Sequence, residues 1–190
     1  MKTKILKKTT LLFLLVIFCN VSINGQSFEP IDKAPHDISY LRTNRATKPI
    51  VKVIYGRPQK AEPVVFGNQV PFNKIWRTGA NEATEVKFYK DVVFGGVVVP
   101  EGTYVLYTIP GEQEWEVILS SNVDVLGAFE YNPAFDVARI SVPVSKAEEL
   151  ESFSIAFKTK NDFTQMVLGW DTTRIKIPLV IESQEGLAKL

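Results

Sequence analysis

The stretch "GTYVLYTIPGEQEWEVILS", Gly102–Ser120, reads as two strands joined by a tight turn. In its second half Trp115, Val117 and Leu119 alternate with Glu114 and Glu116. Successive side chains on a strand point to opposite faces, so this is a strand with one apolar side. The first half, "TYVLYTI", is apolar at both parities, which predicts a central strand covered on both sides. Between them Pro110–Gln113 has the composition of a turn.

The same period continues on either side of this hairpin. Val51, Val53 and Tyr55 share one face of "IVKVIYG"; Val86 and Phe88 share a face of "EVKFY". Phe153, Ile155 and Phe157 line up in "FSIAFK", as do Ile175, Ile177 and Leu179 in "RIKIPLV". β-Branched and aromatic residues at a period of two are the strand signal. Gly95-Gly96 divides "DVVF" from "VVVP" as a hairpin dipeptide, and Pro100–Gly102 begins another turn. The run reads as a meander of consecutive antiparallel strands. Pro143 and Pro178 fall inside apolar runs and cannot donate to a ladder, which puts them at edges or bulges. One helical signal stands out: Ser145 with Glu148 three residues on forms a capping box, predicting a short helix or turn near 146–151. The expected fold is all-β, an antiparallel two-sheet sandwich of jelly-roll type.

The N-terminus has a different character. Lys2, Lys4, Lys7 and Lys8 precede the apolar run of nine residues Leu11–Cys19, and "NVSINGQS" then turns polar. A membrane span needs about 20 apolar residues, so this is a secretory signal peptide, assigned to residues 1–25. The bulky Phe18 before Cys19 argues against a lipid-modified cysteine. Residues 26–190 are then one domain, with an extended N-terminal arm over about 26–37. The expected location is the periplasm or the extracellular space.

Removing four of the 22 basic residues leaves 18 against 21 acidic ones, a net charge of −3. That balance gives no case for binding nucleic acid, and no second long apolar run suggests a transmembrane segment. The sole cysteine lies in the signal, so the exported chain has no disulfide, thiolate metal site or cysteine nucleophile. With one histidine, His36, a zinc site is not expected. Asp124, Asp136, Asp162 and Asp171 are scattered rather than gathered in a calcium loop. No cofactor is expected. No G-x-S-x-G elbow is present; a Ser-His-Asp set would have to use His36, and Asp37 beside it points to the other face of a strand. His36 reads better as an anchor for the arm. A glycosidase would need two carboxyls about 5–10 Å apart, for which Glu82 with Glu85, Glu101 or Asp171 are candidates. These residues favour a binding protein over an enzyme, and no catalytic residue is assigned.

The densest concentration of directional groups is "KIWRTGANEATE", Lys74–Glu85. One reading is structural: Trp76 in the core, Gly79 and Asn81 in turn geometry, Thr84 tied to a backbone group, and Arg77 paired with Glu82 across the turn. The other presents Arg77, Asn81 and Glu82 to a sugar or carboxylate, with Trp76 or Tyr55 as a stacking wall. The candidate ligand-binding residues are His36, Arg57, Trp76, Arg77, Thr78, Asn81 and Glu82.

"YGRPQK" (Tyr55–Lys60), "VPFNKIWRTGANEAT" (Val70–Thr84), "GTYVLYTIPGEQEW" (Gly102–Trp115) and "DVARI" (Asp136–Ile140) resemble the signatures of a family of exported bacterial proteins known only as a domain of unknown function. The resemblance covers about residues 35–180. It implies an exported β-rich domain and brings no activity. This chain departs from the pattern at "PQKAEPVVFG", at Asn73 where glycine is common, and in "VLGAFEYNP", which lacks a Trp-Gly pair. The expected function is an envelope-associated domain binding a small polar molecule, a glycan or an envelope protein. The alternatives are a glycan hydrolase using carboxylate chemistry and a purely structural or interaction domain.

Overall fold

A computed structural model describes residues 28–161 and 163–181. The expected signal segment, 1–25, lies outside the described residues. The described residues divide at Ile31, and those from Asp32 onward carry all nine strands found among them.

The strands are β1 (His36–Leu41), β2 (Val51–Gly56), β3 (Ala80–Phe88), β4 (Val92–Phe94), β5 (Val97–Val99), β6 (Gly102–Ile109), β7 (Glu114–Ser120), β8 (Asp136–Lys160) and β9 (Phe163–Ile181). All pairings are antiparallel, in the order β1-β2-β3-β6-β7-β8-β9-β4-β5. The sheet turns back on itself at β8. Its first part, Asp136–Pro143, pairs with β7, and its later part, from Val144, pairs with β9. The two halves so formed face each other across one core. Val53, Val86, Trp115 and Val117 come from one side, and Phe153, Ile155, Leu168 and Ile177 from the other. An all-β antiparallel sandwich is therefore what the sequence builds. Its two layers share a strand rather than being separate sheets.

The alternating faces run as the period of two predicts. Val51, Val53 and Tyr55 are buried, as are Val86, Phe88, Ile175, Ile177 and Leu179. β6 is central and buried on both sides from Tyr104 to Thr108. Its outer face meets Ile118 and Val125, with Ile75 and Tyr131 packed alongside, in a second, smaller apolar cluster. The segment 121–135 supplies that cover, with single 3-10 turns at Ala128–Glu130 and Pro133–Phe135.

Three expectations need correction. The meander is interrupted, because β3 pairs with β6 and the β4–β5 hairpin docks instead on β9, Phe94 opposite Leu179. Residues 146–151 form no helix; they lie within β8, where the register with β9 shifts between Lys146 and Ser154. There the backbone carbonyls serve tertiary partners. Glu151 O accepts from the Trp170 indole (3.1 Å) and from the Lys60 amide (2.9 Å), so the local capping signal is overridden. β1 also begins inside the expected arm, at His36. The prolines sit where a strand changes partner: Pro143 is the last β8 residue paired with β7, and Pro178 precedes the β9 residues paired with β4.

Candidate functional site

The two glycine-bearing motifs meet through their backbones. Gly56, ending β2, lies opposite Ala80, starting β3, after a register shift from Ile54. A Cβ on Gly56 would fall on the Ala80 carbonyl oxygen and 2.6 Å from its carbon; one on Gly79 would be 2.9 Å from Gly56 O. This approach is closer than any side chain permits, so both positions require glycine.

From that junction the block Trp76–Thr84 is a clasp. Trp76 exchanges backbone hydrogen bonds with Thr108 (2.7 and 3.0 Å), anchoring it to central strand β6. Its ring stacks on Trp170 at 6.2 Å and meets Phe66, Trp115 and Phe153 edge-on. Thr78 is fully buried, its hydroxyl 3.0 Å from that of Thr108. The buried Thr84 hydroxyl donates to Thr78 O (2.7 Å), and the Thr84 amide donates to Arg77 O (3.1 Å). Thr78 (φ 59°), Asn81 (φ 62°) and Asn73 (φ 56°) adopt left-handed backbone. Tyr55 is a core residue too. Its hydroxyl donates to Asp37 Oδ2 and accepts from the Ile155 amide, each at 3.1 Å, and burial pushes its ionisation above the ordinary tyrosine range. Neither Trp76 nor Tyr55 is an exposed stacking wall.

The candidate charges do not converge on one point. Arg57 donates to Asp37 Oδ2 (3.1 Å) and Ser154 Oγ (3.0 Å), joining β1 to β8. The Arg77 guanidinium lies beside Gly127, where an added Cβ would be 3.5 Å from Nη1, and its Nε is buried without a hydrogen-bond partner. The expected Arg77–Glu82 pair does not form. Glu82 is instead bound to His36, with Nε2 to Oε2 at 3.1 Å. The Asn81 amide donates to Ala34 O (3.1 Å), so this end of the clasp holds the segment before β1. The Ala34 amide and nearby Asn81 keep the Asp32 carboxyl below its usual range.

His36 and Glu82 border a hollow of about 310 Å³ on the outer face of β1, β2, β3 and β6. Ile54, Ala83 and Val105 line it, Glu85 and Asp124 add two more carboxylates, and Val125 and Leu126 close one side. The hollow exists because segment 121–135 covers only the later part of the outer face. Sequence spacing points to Glu82 with Glu85 as acids of one strand. Asp124 reads there as turn chemistry, and its arrival here depends on the Ala83 amide bonding Val125 O (3.4 Å). Glu101 does not border this hollow. Asp171 lies elsewhere, bonded to Lys60 (3.2 Å). Among the described residues no group of three or more His, Cys, Asp or Glu is arranged to hold a metal ion, and no helix is long and apolar enough to cross a membrane.

Residues 39–179 match the model of a family described as "Protein of unknown function (DUF2911)". The chain belongs to that family. No curated protein and no solved structure matches it.

Proposed function

We propose that this member of the DUF2911 family is an exported, non-catalytic β-sandwich that binds a small polar ligand, an amine above all, in the hollow at His36, Glu82, Glu85 and Asp124. The observation that carries this reading is the convergence of polar groups from β1, β3 and the 124–126 loop over an apolar floor. Ligand sites characteristically combine an apolar lining with a few placed polar groups. The carboxylates of Glu82, Glu85 and Asp124 accept hydrogen bonds and favour positive charge, so they select an N–H donor over a phosphate or carboxylate. The basic start and short apolar run at Lys2–Cys19 support export into the envelope or beyond it. In this reading the WRTGANE block contributes Glu82 to the site, while Trp76, Thr78 and Asn81 hold the frame.

A thermal-shift screen of the purified protein against amines, sugars, organic acids, phosphates and divalent metals tests it. A ligand at 100 times its Kd stabilises by about 2.7 kcal/mol. The expected result is stabilisation by an amine that Glu85→Gln and Asp124→Asn each weaken and Arg77→Ala leaves in place. No shift with any amine overturns the reading and favours a structural or protein-partner role. Turnover of a glycan, lost in Glu82→Gln without loss of folding, would replace it with hydrolysis.

A further inference from the structure

Four of the six arginines are spoken for: Arg42, Arg57, Arg139 and Arg174 each donate to a carbonyl, carboxylate or hydroxyl of the protein. Arg45 stands exposed in a loop. Arg77 is half-buried, yet its guanidinium has no hydrogen-bond or ion-pair partner among the described residues. Its Nε is sealed in the protein, whereas Nη1 and Nη2, equally without an acceptor, stay open to solvent. The head is therefore held at the surface with its outer donors unfilled. Gly127 keeps a gap beside it. The Gly127 backbone, at φ −173° and ψ −172°, is extended and open to any residue, so conformation does not call for glycine. An added Cβ would stand 3.5 Å from Arg77 Nη1 and 3.1 Å from the Phe129 ring. Phe129 is 79% exposed and Leu126 61%, so this loop lays apolar surface beside an unpaired cation.

We propose that the gap at Gly127 takes a monocarboxylate carried on an apolar group, with the carboxylate on the Arg77 Nη atoms and the apolar group against Phe129. The planar guanidinium matches the two oxygens of a carboxylate. One guanidinium also balances one charge. Asp124 and Glu130 flank Gly127 in the chain, so the second charge of a phosphate meets repulsion rather than a second cation. The apolar group adds buried area on the exposed ring, which a bare acetate does not. A free organic acid and the C-terminal end of a peptide both supply this chemistry, and the test separates them. The site shares the 124–127 loop with the hollow at His36 but draws on none of its carboxylates, so it stands whether or not an amine binds there.

The test follows the Arg77 Nε–H and Gly127 amide signals of the ¹⁵N-labelled full chain by NMR. The sealed Nε–H is protected from exchange with water; Arg77→Lys and Gly127→Ala assign the two signals by their loss. The probes are benzoate, acetate, benzamide, inorganic phosphate, N-acetylphenylalanine and an N-acetylated tripeptide ending in phenylalanine. The expected result is that benzoate moves both signals, with half-saturation about tenfold below that of acetate. Benzamide should move neither, and phosphate should bind no better than acetate. Arg77→Lys keeps the charge but not the fork, and should raise the half-saturating benzoate concentration about tenfold, read at Gly127. Gly127→Ala, read at Arg77, should raise it at least as far; its closest new contact is an exposed ring that can turn aside, so the fold is kept. Phe129→Ala should remove the advantage of benzoate over acetate. Tighter binding of the tripeptide than of N-acetylphenylalanine identifies a peptide end, and equal or weaker binding identifies a free acid. The proposal is overturned if no carboxylate moves the Arg77 signal at about 100 mM, far above a ~1 mM Kd. It is equally overturned if phosphate or benzamide binds as well as benzoate, or if Gly127→Ala binds benzoate as the wild type does.

Discussion

Replacing Gly56 with alanine tests the junction between the YGRP and WRTGANE segments. The added methyl would overlap the Ala80 carbonyl, with its carbon at 2.6 Å and Cα at 3.1 Å. These are backbone atoms paired within β2–β3, so no side-chain rotation relieves the clash. Overpacking a tight site costs about 1–3 kcal/mol, and a backbone obstacle places this change at the upper end, about 3 kcal/mol. For a domain of this size each kcal/mol lowers Tm by about 2–4 °C, so the expected fall is about 6–12 °C. Gly96→Ala is the control. Nothing lies within 4 Å of its Cβ, but its φ of 94° leaves about 1–2 kcal/mol of backbone strain. Urea unfolding of both variants gives the comparison, with equal m-values required for a valid reading. If Gly56→Ala loses no more stability than Gly96→Ala, the close approach is not what joins the two segments.

Thr84→Val should lose about 1–3 kcal/mol in urea unfolding, because it leaves the buried Thr78 carbonyl without its donor. His36→Ala should change stability by no more than about 1 kcal/mol, since the His36–Glu82 pair is 42% and 59% exposed; a larger loss would mean the pair holds the fold rather than faces a ligand. Burial raises the ionisation of Tyr55, Tyr104, Tyr107 and Tyr131 above the ordinary tyrosine value of 10.0. Their neutral forms are favoured in the folded state, so that stability is complete below pH 10 and is lost as pH rises through the folded values. Tyrosinate absorbance should then climb together with loss of tertiary structure; full ionisation with the fold intact would contradict the burial.

What the sequence discloses depends on how local the cause is. The inward faces of β2, β7 and β9 follow from a period of two, and the double-sided burial of β6 from apolar residues at both parities. The β4–β5 hairpin is legible as a hairpin but not in its place: three-residue strands of near-uniform valine carry no register information. The capping box at Ser145 is a real local preference, yet Trp170 and Lys60 compete for the same backbone from distant positions. At the site, Trp76 packs half-buried against the core and Thr84 ties the loop backbone, as the structural one of the two readings expects. Glu82 turns to His36 rather than Arg77 because β1 packs beside β2, a long-range fact no spacing within the loop contains. The hollow at Asp124 depends on where segment 121–135 crosses the outer face, which composition does not fix.

The sharing of β8 between the two layers bears on how the chain acquires its structure. Phe94 must find Leu179, about 85 residues later, before the β4–β5 hairpin has a neighbour. β8 likewise completes the first layer only by committing its remaining length to the second. Closing such loops is slow, because entropy is lost before contacts form. A partial chain ending before β9 lacks Leu168, Ile175, Ile177 and Leu179 of the inner face, so the shared core closes only once β9 is in place.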